Sequence, residues 1–327
     1  MADQQKQEKP SDRSVSDEQL ARIREHMWGA MVDFPDPLTE SPSIKFLGYC
    51  MPFNFISYLQ KIRGMEIDPS DVYVCSFPKS GTTWMQHIVW YICTQDYDTE
   101  VEIDYRFPEL ELPPPYPPTP DNIDEILKQE PPRFFKSHIG AKFLPKKIWD
   151  AKVIYCYRNA KDCAVSYYHH FRAQIPVCFN GNFEKLANNF VNGDIVFGPW
   201  CRHVRDFYDM KKQGKPLLMV AFEDMKKDRM GVIKRVAEFL GKKLTEEQFQ
   251  KVYEETSFEA MKKNSTGNYS HLQQMGLWDN NMAPFMRKGV VGDWKNHFTP
   301  ELEKKFDEHV KEWFGDTDLV LNDQPTQ

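Results

Sequence analysis

The chain alternates short apolar runs with longer amphipathic segments. The runs are rich in β-formers and nearly continuous, which is typical of parallel strands that are buried on both faces. They are residues 71–77, 133–138, 152–157 and 217–222. Helical patterns follow several runs, at 81–94, 159–172 and 229–240. Alternation of this kind predicts one α/β domain with a doubly wound, central parallel sheet flanked by helices.

The ends and connections complete the predicted layout. Residues 1–18 are polar and of mixed charge, which predicts a disordered N-terminal tail, and 19–327 then form a single domain. Ser16 with Gln19 predicts a capped helix near 17–28, and "TEEQ" at 245–248 predicts a capping box that opens another helix. The Pro-rich segment 108–121 is predicted to be an irregular surface loop.

Composition narrows the function classes. The chain of 327 residues has a net charge of −6, which disfavours nucleic acid as a partner. No apolar run approaches the roughly 20 residues that span a bilayer, so we expect no membrane insertion. The seven cysteines include no C-x-x-C pair, which disfavours disulfides and structural zinc and favours the cytoplasm.

The first chemical signal is "FPKSGTTW" at 77–84, where a predicted strand turns into a helix. Unpaired backbone N–H groups, the positive end of the helix dipole and the charge of Lys79 together predict an anion site. The Walker pattern is not met, because Lys79 precedes Gly81 instead of following it. An ordinary strand–helix turn with a surface lysine is the alternative.

A second strand–helix turn carries Arg158, and Ser166 lies about two turns into the following helix. Both could reach a second phosphate, because the carboxyl ends of adjacent parallel strands lie together. The alternative is that Arg158 pairs with Asp162 and that Ser166 is a surface hydroxyl.

Two further segments carry candidate chemistry. Arg287 and Lys288 lie near two glycines and predict a basic loop, for which a solvated surface loop is the alternative. Lys136 and His138 are two residues apart at the end of a predicted strand and point to one face if the strand continues. A histidine there can serve as a general base, or it can simply be a hydrogen-bonded packing residue.

Taken in order, five segments resemble the cytosolic sulfotransferase family, which uses 3′-phosphoadenosine 5′-phosphosulfate (PAPS). They are "FPKSGTTW", "RNAKDCAVSYYHHF", "FEDMKKD", "TSFEAMKKN" and "FMRKG", and the resemblance spans about residues 40–315. It implies a P-loop-like sulfotransferase fold and a PAPS-dependent sulfotransferase (EC 2.8.2 class) in small-molecule metabolism and detoxification. PAP would be the product, and no metal would be needed.

The resemblance also implies roles for individual residues. His138 would be the general base, with Lys79, Lys136 and Ser166 as further catalytic groups. The 5′-phosphosulfate loop would be Lys79, Ser80, Gly81, Thr82, Thr83 and Trp84, with Trp84 against the adenine. The 3′-phosphate would be held by Arg158, Ser166, Arg287, Lys288 and Gly289. The remaining nucleotide contacts would be Phe222, Thr256, Ser257, Phe258, Met261, Phe285 and Met286. The acceptor would meet Lys136, His138, Tyr168 and Phe53.

Several positions depart from the family pattern. The family's K-T-H-L-P is "KSHIG" here, and Phe222 stands where the family often has Tyr. In the family's dimer motif, Pro300 replaces Val and Lys304 replaces Glu, so we expect a monomer or a homodimer. The segments 108–121 and 268–283, which would build the acceptor pocket, differ from those of common vertebrate phenol enzymes, and an invertebrate member of the family would fit this difference.

Three other functions stay open. A nucleotide kinase would need a Walker-type lysine, which the spacing disfavours. The same fold could act as an alcohol (retinol-like) dehydratase through a sulfonated intermediate, or as a non-catalytic PAP/PAPS-binding protein. The acceptor stays open as well, since a phenol, catecholamine, sterol, other alcohol or amine would suit a lipophilic pocket.

Overall fold

We analysed a computed structural model of the chain, which describes residues 43–52, 55–112, 121–177, 179 and 181–321. The tail predicted at 1–18, the helix predicted at 17–28 and Phe53 lie outside the described residues. The remaining predictions can be compared with the structure element by element.

A four-stranded parallel sheet forms the centre of the fold. Its order is β4-β3-β5-β6, and Val72 of β3 lies opposite both Phe134 of β4 and Lys152 of β5. All four predicted strands are present, which confirms the central parallel sheet. A separate antiparallel hairpin precedes it. The strands are β1 (Ser43–Phe46), β2 (Tyr49–Pro52), β3 (Val72–Ser76), β4 (Phe134–Ser137), β5 (Lys152–Tyr157) and β6 (Leu217–Ala221).

Helices cover both faces of the sheet, and the three predicted ones fall within about a residue of their predicted bounds. Thr245 caps α10 in a capping box with Gln248, as the sequence predicts. The helices in the described part of the chain are α1 (Phe55–Gly64), α2 (Thr82–Thr94), α3 (Ile103–Arg106), α4 (Asp121–Leu127), α5 (Ala160–Ala173), α6 (Phe183–Asn192), α7 (Trp200–Lys212), α8 (Phe222–Lys227), α9 (Arg229–Phe239), α10 (Glu246–Glu255), α11 (Phe258–Lys263), α12 (Ser270–Gln274) and α13 (Pro300–Phe314).

Two hydrophobic cores flank the sheet. Tyr73 and Cys75 of β3 belong to one core, whereas Val72 and Val74 belong to the other. This alternation follows from the strand geometry, because successive side chains point to opposite faces. Both faces are therefore buried, which is why the strands read as continuous apolar runs instead of alternating ones.

The segment 108–112 corrects one expectation. We predicted an irregular surface loop over 108–121, but the N–H of Leu110 donates to the carbonyl of Lys136 at 3.0 Å, and the N–H of Lys136 donates to the carbonyl of Pro108 at 3.1 Å. These bonds form an isolated parallel bridge between Glu109 and Lys136, and a turn follows at 110–111. The segment is irregular, as predicted, but Glu109, Leu110 and Glu111 are buried, so it is not a surface loop. The bridge can form because residues 109–112 contain no proline, so their N–H groups remain free to pair. Residues 113–120 lie outside the described residues.

None of the helices in the described ranges combines the length and the apolar character that crossing a membrane would require.

Candidate active site

One cavity of about 370 Å³ lies at the carboxyl ends of β3, β4 and β5. It brings together most of the residues that the sequence singled out from distant segments. The predicted residues that line it are Lys79, Gly81, Thr82, Thr83, Trp84, Lys136, His138, Arg158, Ser166, Phe222, Phe258, Met261, Phe285, Met286, Arg287, Lys288 and Gly289.

The loop between β3 and α2 has an unusual backbone. Lys79 has a φ of +67° and Gly81 a φ of +99°, so two of its residues occupy the left-handed region. A Cβ at Gly81 would also lie 2.8 Å from the Cε atom of Met225 and 3.0 Å from the ring of Phe222, so these side chains would have to shift. A hydrogen bond of 2.6 Å between the hydroxyls of Ser76 and Thr82 closes the loop. The loop therefore presents its first helical residues to the cavity in a fixed shape.

Lys79 is a cation without a carboxylate partner in the described part of the chain. Its Nζ lies 4.2 Å from the ring centroid of Phe285. Burial, helped by the positive charges of Lys136 and Arg158, lowers the pKa of Lys79 to about 7. The side chains of Lys79 and Ser166 form no hydrogen bond with each other among the described residues, although the resemblance implied that they could. An anion at this point would restore the charged form of the lysine.

His138 is held by its ring and by both of its backbone groups. Its Nδ1–H donates to the carbonyl of Ser76 at 2.9 Å, which leaves Nε2 as the basic nitrogen. The N–H of His138 donates to the carboxyl group of Glu111, and its carbonyl accepts from Nε2 of His203 at 2.9 Å. His203 is fixed in turn by the hydroxyl of Tyr155, 2.8 Å from its Nδ1.

The electrostatics keep His138 neutral at physiological pH. Burial lowers the pKa of His138 to about 4; the carboxylate of Glu109 opposes this shift, whereas the positive charge of Lys136 reinforces it. Burial also raises the pKa of Glu111 well above its usual range, and the nearby Glu109 adds to the effect. The imidazole is thus available to accept a proton.

Lys136 forms a buried ion pair. Its Nζ lies 2.6 Å from Oε2 of Glu109. Both residues line the cavity beside His138. Sequence reasoning missed Glu109, although two carboxylates in "ELE" at 109–111, within an otherwise apolar and Pro-rich segment, were a usable signal.

Arg158 lies beside the loop between β3 and α2, where its guanidinium donates to the carbonyl of Lys79 at 3.4 Å. Its guanidinium donates to the carbonyl of Val290 at 2.8 Å and lies 4.2 Å above the ring of Phe222. The alternative pairing with Asp162 is present only at 3.9 Å. Asp162 mainly accepts the backbone N–H groups of residues 292 and 294, at 2.6 and 3.0 Å. Asp162 therefore anchors the basic loop to α5. Arg158 forms only a long contact with this carboxylate, and Nε of Arg158 has no hydrogen-bond partner among the described residues.

The basic loop brings two more cations to the same end of the cavity. Nη2 of Arg287 and Nζ of Lys288 lie 2.6 and 2.7 Å from the carboxylate of Asp293. Burial alone would raise the pKa of Asp293, but its bonds to Lys288 and Arg287 outweigh that effect and hold the pKa well below its usual range. Gly289 has a φ of +60°, and a Cβ there would lie 2.8 Å from the ring of Phe258. Sequence reasoning did not single out Asp293.

Aromatic side chains close the end of the cavity that carries Arg158. The indole N–H of Trp84 donates to the carbonyl of Thr256 at 2.9 Å, and its ring meets Phe222 edge-on at 5.7 Å. Ser257 caps α11 by accepting from the N–H of Ala260. Thr256 and Ser257 therefore support the wall of the cavity without being among its lining residues.

Besides Thr256 and Ser257, two described residues that were predicted for the site are not among the lining residues, namely Ser80 and Tyr168. Ser80 is fully buried, with its hydroxyl 3.7 Å from the sulfur of Cys163. Tyr168 packs edge-on against Phe179 and Phe183 and is absent from the lining, whereas its neighbour Tyr167 lines the cavity. The helical turn of about 100° per residue explains the difference. Phe53 lies outside the described residues.

The other end of the cavity is mostly aromatic, with two carboxylates. Asp104 and Glu109 supply the acids, and sequence reasoning singled out neither. Among the described residues, no group of three or more His, Cys, Asp or Glu side chains could hold a metal ion. The aromatic side chains that line this part of the cavity are Tyr167, Phe171, Phe197, Tyr269 and Trp278. Phe285 packs against Trp278, and its ring centroid also lies 4.2 Å from Nζ of Lys79.

Comparison with known proteins identifies relatives over most of the chain. The family model described as "Sulfotransferase domain" matches residues 69–318. Sulfotransferase 1C2 of Rattus norvegicus is 39% identical over 265 residues, which cover 79% of this chain and 88% of that protein. Sulfotransferase 1B1 of Mus musculus is 37% identical over 281 residues, which cover 83% of this chain and 92% of that protein.

Solved structures agree with the sequence relatives. Retinol dehydratase in complex with androsterone and inactive cofactor PAP has a TM-score of 0.78 at 25% identity, covering 94% of this chain and 97% of that one. Mouse sulfotransferase SULT7A1 complexed with PAP has a TM-score of 0.71 at 28% identity, covering 85% of this chain and 97% of that one.

Proposed function

This chain belongs to the sulfotransferase family, and we propose that its cavity performs the family's reaction with His138 as the general base. The protein is a PAPS-dependent sulfotransferase that transfers a sulfuryl group to a small acceptor. The observation that carries the residue assignment is the hydrogen bond from Nδ1 of His138 to the carbonyl of Ser76, which leaves Nε2 free to act as a base.

The donor set at one end of the cavity suits PAPS. Lys79, Arg158, Arg287 and Lys288 would hold its anionic groups, and Nε of Arg158 is buried without a hydrogen-bond partner among the described residues. Cations with spare donors are what phosphate and sulfate groups require. Trp84 and Phe222 offer aromatic faces that would meet the adenine. When bound, PAPS supplies the sulfuryl group that is transferred.

His138 would remove the proton from the acceptor hydroxyl. The neutral imidazole presents Nε2 to the cavity side, and Nδ1–H keeps its bond to Ser76 throughout. After Nε2 takes the proton, the ring carries a positive charge, which the carboxylate of Glu109 favours. Proton transfer to a positioned base contributes about 10²- to 10⁴-fold to a rate.

Lys79 and Lys136 would stabilise negative charge during transfer. By analogy with phosphoryl transfer, sulfuryl transfer has a loose, in-line transition state, so the protein acts chiefly through position and charge. Both lysines line the cavity, and Ser166 lines it as well. We propose Ser166 as a further member of this group on the basis of its place in the lining.

The acceptor would occupy the aromatic end. Tyr167, Phe197 and Trp278 offer apolar surface to a lipophilic phenol, catecholamine, sterol or other alcohol or amine. A screen of phenols, catecholamines, sterols and retinoids with radiolabelled PAPS tests this proposal. Transfer of label to at least one class is expected, and the absence of transfer to every class would contradict it.

Dehydration of an alcohol through a sulfonated intermediate is a second candidate. The likeness to retinol dehydratase, with a TM-score of 0.78 over 94% of the chain, is the observation that favours it. The mass of the product separates the two reactions. A sulfotransferase product gains a sulfate group, whereas a dehydratase product has lost water.

We also propose a single domain over 19–327, a cytoplasmic location and a monomer or homodimer. The six cysteines in the described ranges remain thiols, which suits a reducing compartment. Pro300 occupies the first turn of α13, and Nζ of Lys304 lies 3.8 Å from the carboxylate of Glu308, so both altered positions of the dimer motif have contacts or roles within the chain. Sedimentation equilibrium distinguishes the two assembly states.

A further inference from the structure

We propose that Glu109 is a positioning residue that holds Lys136 as a fixed, charged ammonium at the acceptor end of the cavity. The inference rests on the proposed function only for what Lys136 does to the reacting groups. The placement and charge of Lys136 follow from the structure by themselves, so they can be tested separately.

Backbone pairing sets the two side chains face to face. The segment around Glu109 pairs in parallel with β4 opposite Lys136, through the hydrogen bonds of Pro108 and Leu110 described above. Nζ of Lys136 then meets Oε2 of Glu109 at 2.6 Å. Each side chain is only 11% exposed, so water screens the pair weakly. The contact is therefore a buried ion pair that this bridge builds.

Without a nearby carboxylate, burial would favour the neutral amine of Lys136 over the ammonium. Burial is the largest influence on Lys136 and lowers its pKa, but the carboxylate of Glu109, aided by Tyr269 and Asp104, raises it well above the usual range. Lys79 is the natural comparison within the same cavity. It has no carboxylate beside it, and its pKa falls to about 7. Glu109 is thus the group that distinguishes the two lysines.

The other groups near Lys136 cannot replace Glu109. Asp104 is engaged with Nε2 of His271 at 3.2 Å. Tyr269 presents its ring, whose centroid is 5.6 Å from Nζ. Lys79, His138 and His170 bring no negative charge to Lys136, since the first is a cation and burial lowers the pKa of both imidazoles. Glu111 is engaged with the hydroxyl of Ser137 and the N–H of His138, and burial raises its pKa.

Glu109 would act through position and charge, without contacting the reacting atoms. Removing one partner of a buried ion pair leaves the other charge uncompensated. In Glu109→Gln, the amide could still accept a hydrogen bond from Lys136, but it would not favour the ammonium over the amine. Lys136 would then titrate like Lys79.

Competitive labelling with trace acetic anhydride measures the neutral fraction of each lysine as pH is varied. Peptide mass spectrometry gives the rates for Lys136, for Lys79 and for the exposed reference Lys128 in one sample. In Glu109→Gln, we expect labelling of Lys136 at pH 8 to rise about tenfold or more, since one pKa unit is a tenfold change. Glu109→Asp should restore much of the wild-type rate, and Asp104→Asn is the matched control for loss of a cavity carboxylate.

Wild-type protein alone already gives a decisive result. Lys136 should titrate at a higher pH than Lys79, and the reverse order would overturn the proposal without any variant. A similar rise in Asp104→Asn and Glu109→Gln would also overturn it, because Glu109 would have no special role. If labelling behaves as expected but no acceptor is sulfated, the proposed function fails and the inference about Glu109 stands.

Discussion

Protonation of Lys79 should accompany the binding of PAP above pH 7. Burial and the charges of Lys136 and Arg158 lower the pKa of this lysine to about 7 in the free protein. A phosphate beside its Nζ favours the charged form, so the pKa rises on binding. Because the free lysine is largely neutral above pH 7, binding must take a proton from solution.

The size of the effect follows from that pKa. At pH 9, the free lysine is about 1% protonated, and charging it costs about 2.7 kcal/mol. The lysine is half charged at pH 7, so the affinity for PAP should fall about 50-fold between pH 7 and pH 9, approaching one decade per pH unit. Below pH 7 the lysine is already charged, so this dependence should fade.

Calorimetry in two buffers of different ionisation enthalpy counts the protons taken up. At pH 8.5 the phosphates of PAP are fully ionised, because their second pKa is about 6, so they add no protons of their own. Wild-type protein should take up close to one proton. Lys79→Arg should take up almost none, since arginine stays charged. Equal uptake in both proteins, or none in the wild type, would refute the reasoning.

Three further substitutions test the nucleotide end of the cavity. Arg158→Ala should weaken binding of PAP about 10- to 100-fold by calorimetry, since a hydrogen bond to a charged group contributes about 1.5–3 kcal/mol. Substitution of the exposed Arg235 by Ala is the control. Equal affinities of the two variants for PAP would contradict the assignment of Arg158 to phosphate binding. Asp293→Asn should lower the free energy of unfolding, measured by urea denaturation, by about 2–3 kcal/mol, because Arg287 and Lys288 lose their charged partner. A change below about 0.5 kcal/mol would contradict this expectation. Gly81→Ala should cost about 1–3 kcal/mol of stability in the same assay, because a side chain is strained at a φ of +99°, and an unchanged midpoint would count against it.

The sheet was predictable because burial on both faces leaves a strong mark in the sequence. The run 71–77 corresponds to β3 at Val72–Ser76, and the run 152–157 coincides with β5. The convergence of Lys79, His138 and Arg158 was also predictable, because parallel strands place their carboxyl ends at one edge. Local pattern and sheet geometry were sufficient for these features.

Non-local pairing explains what the sequence could not reveal. Glu109 reaches Lys136 only because the segment 108–112 joins the edge of β4. His203 supports His138 from α7, which lies 65 residues further along the chain. The choice of Tyr167 over Tyr168 as a lining residue depends on how α5 rotates against its neighbours. No periodicity in the sequence fixes these three contacts.

The central claim is that His138 removes the proton of the acceptor. Single-turnover transfer from radiolabelled PAPS, with the best acceptor from the screen, tests it in His138→Ala beside His309→Ala, a partly exposed histidine on α13. We predict that His138→Ala loses about 100-fold or more of the transfer rate, binds PAP with unchanged affinity, and that His309→Ala behaves as wild type. A folded His138→Ala protein that transfers the label at the wild-type rate would contradict the account.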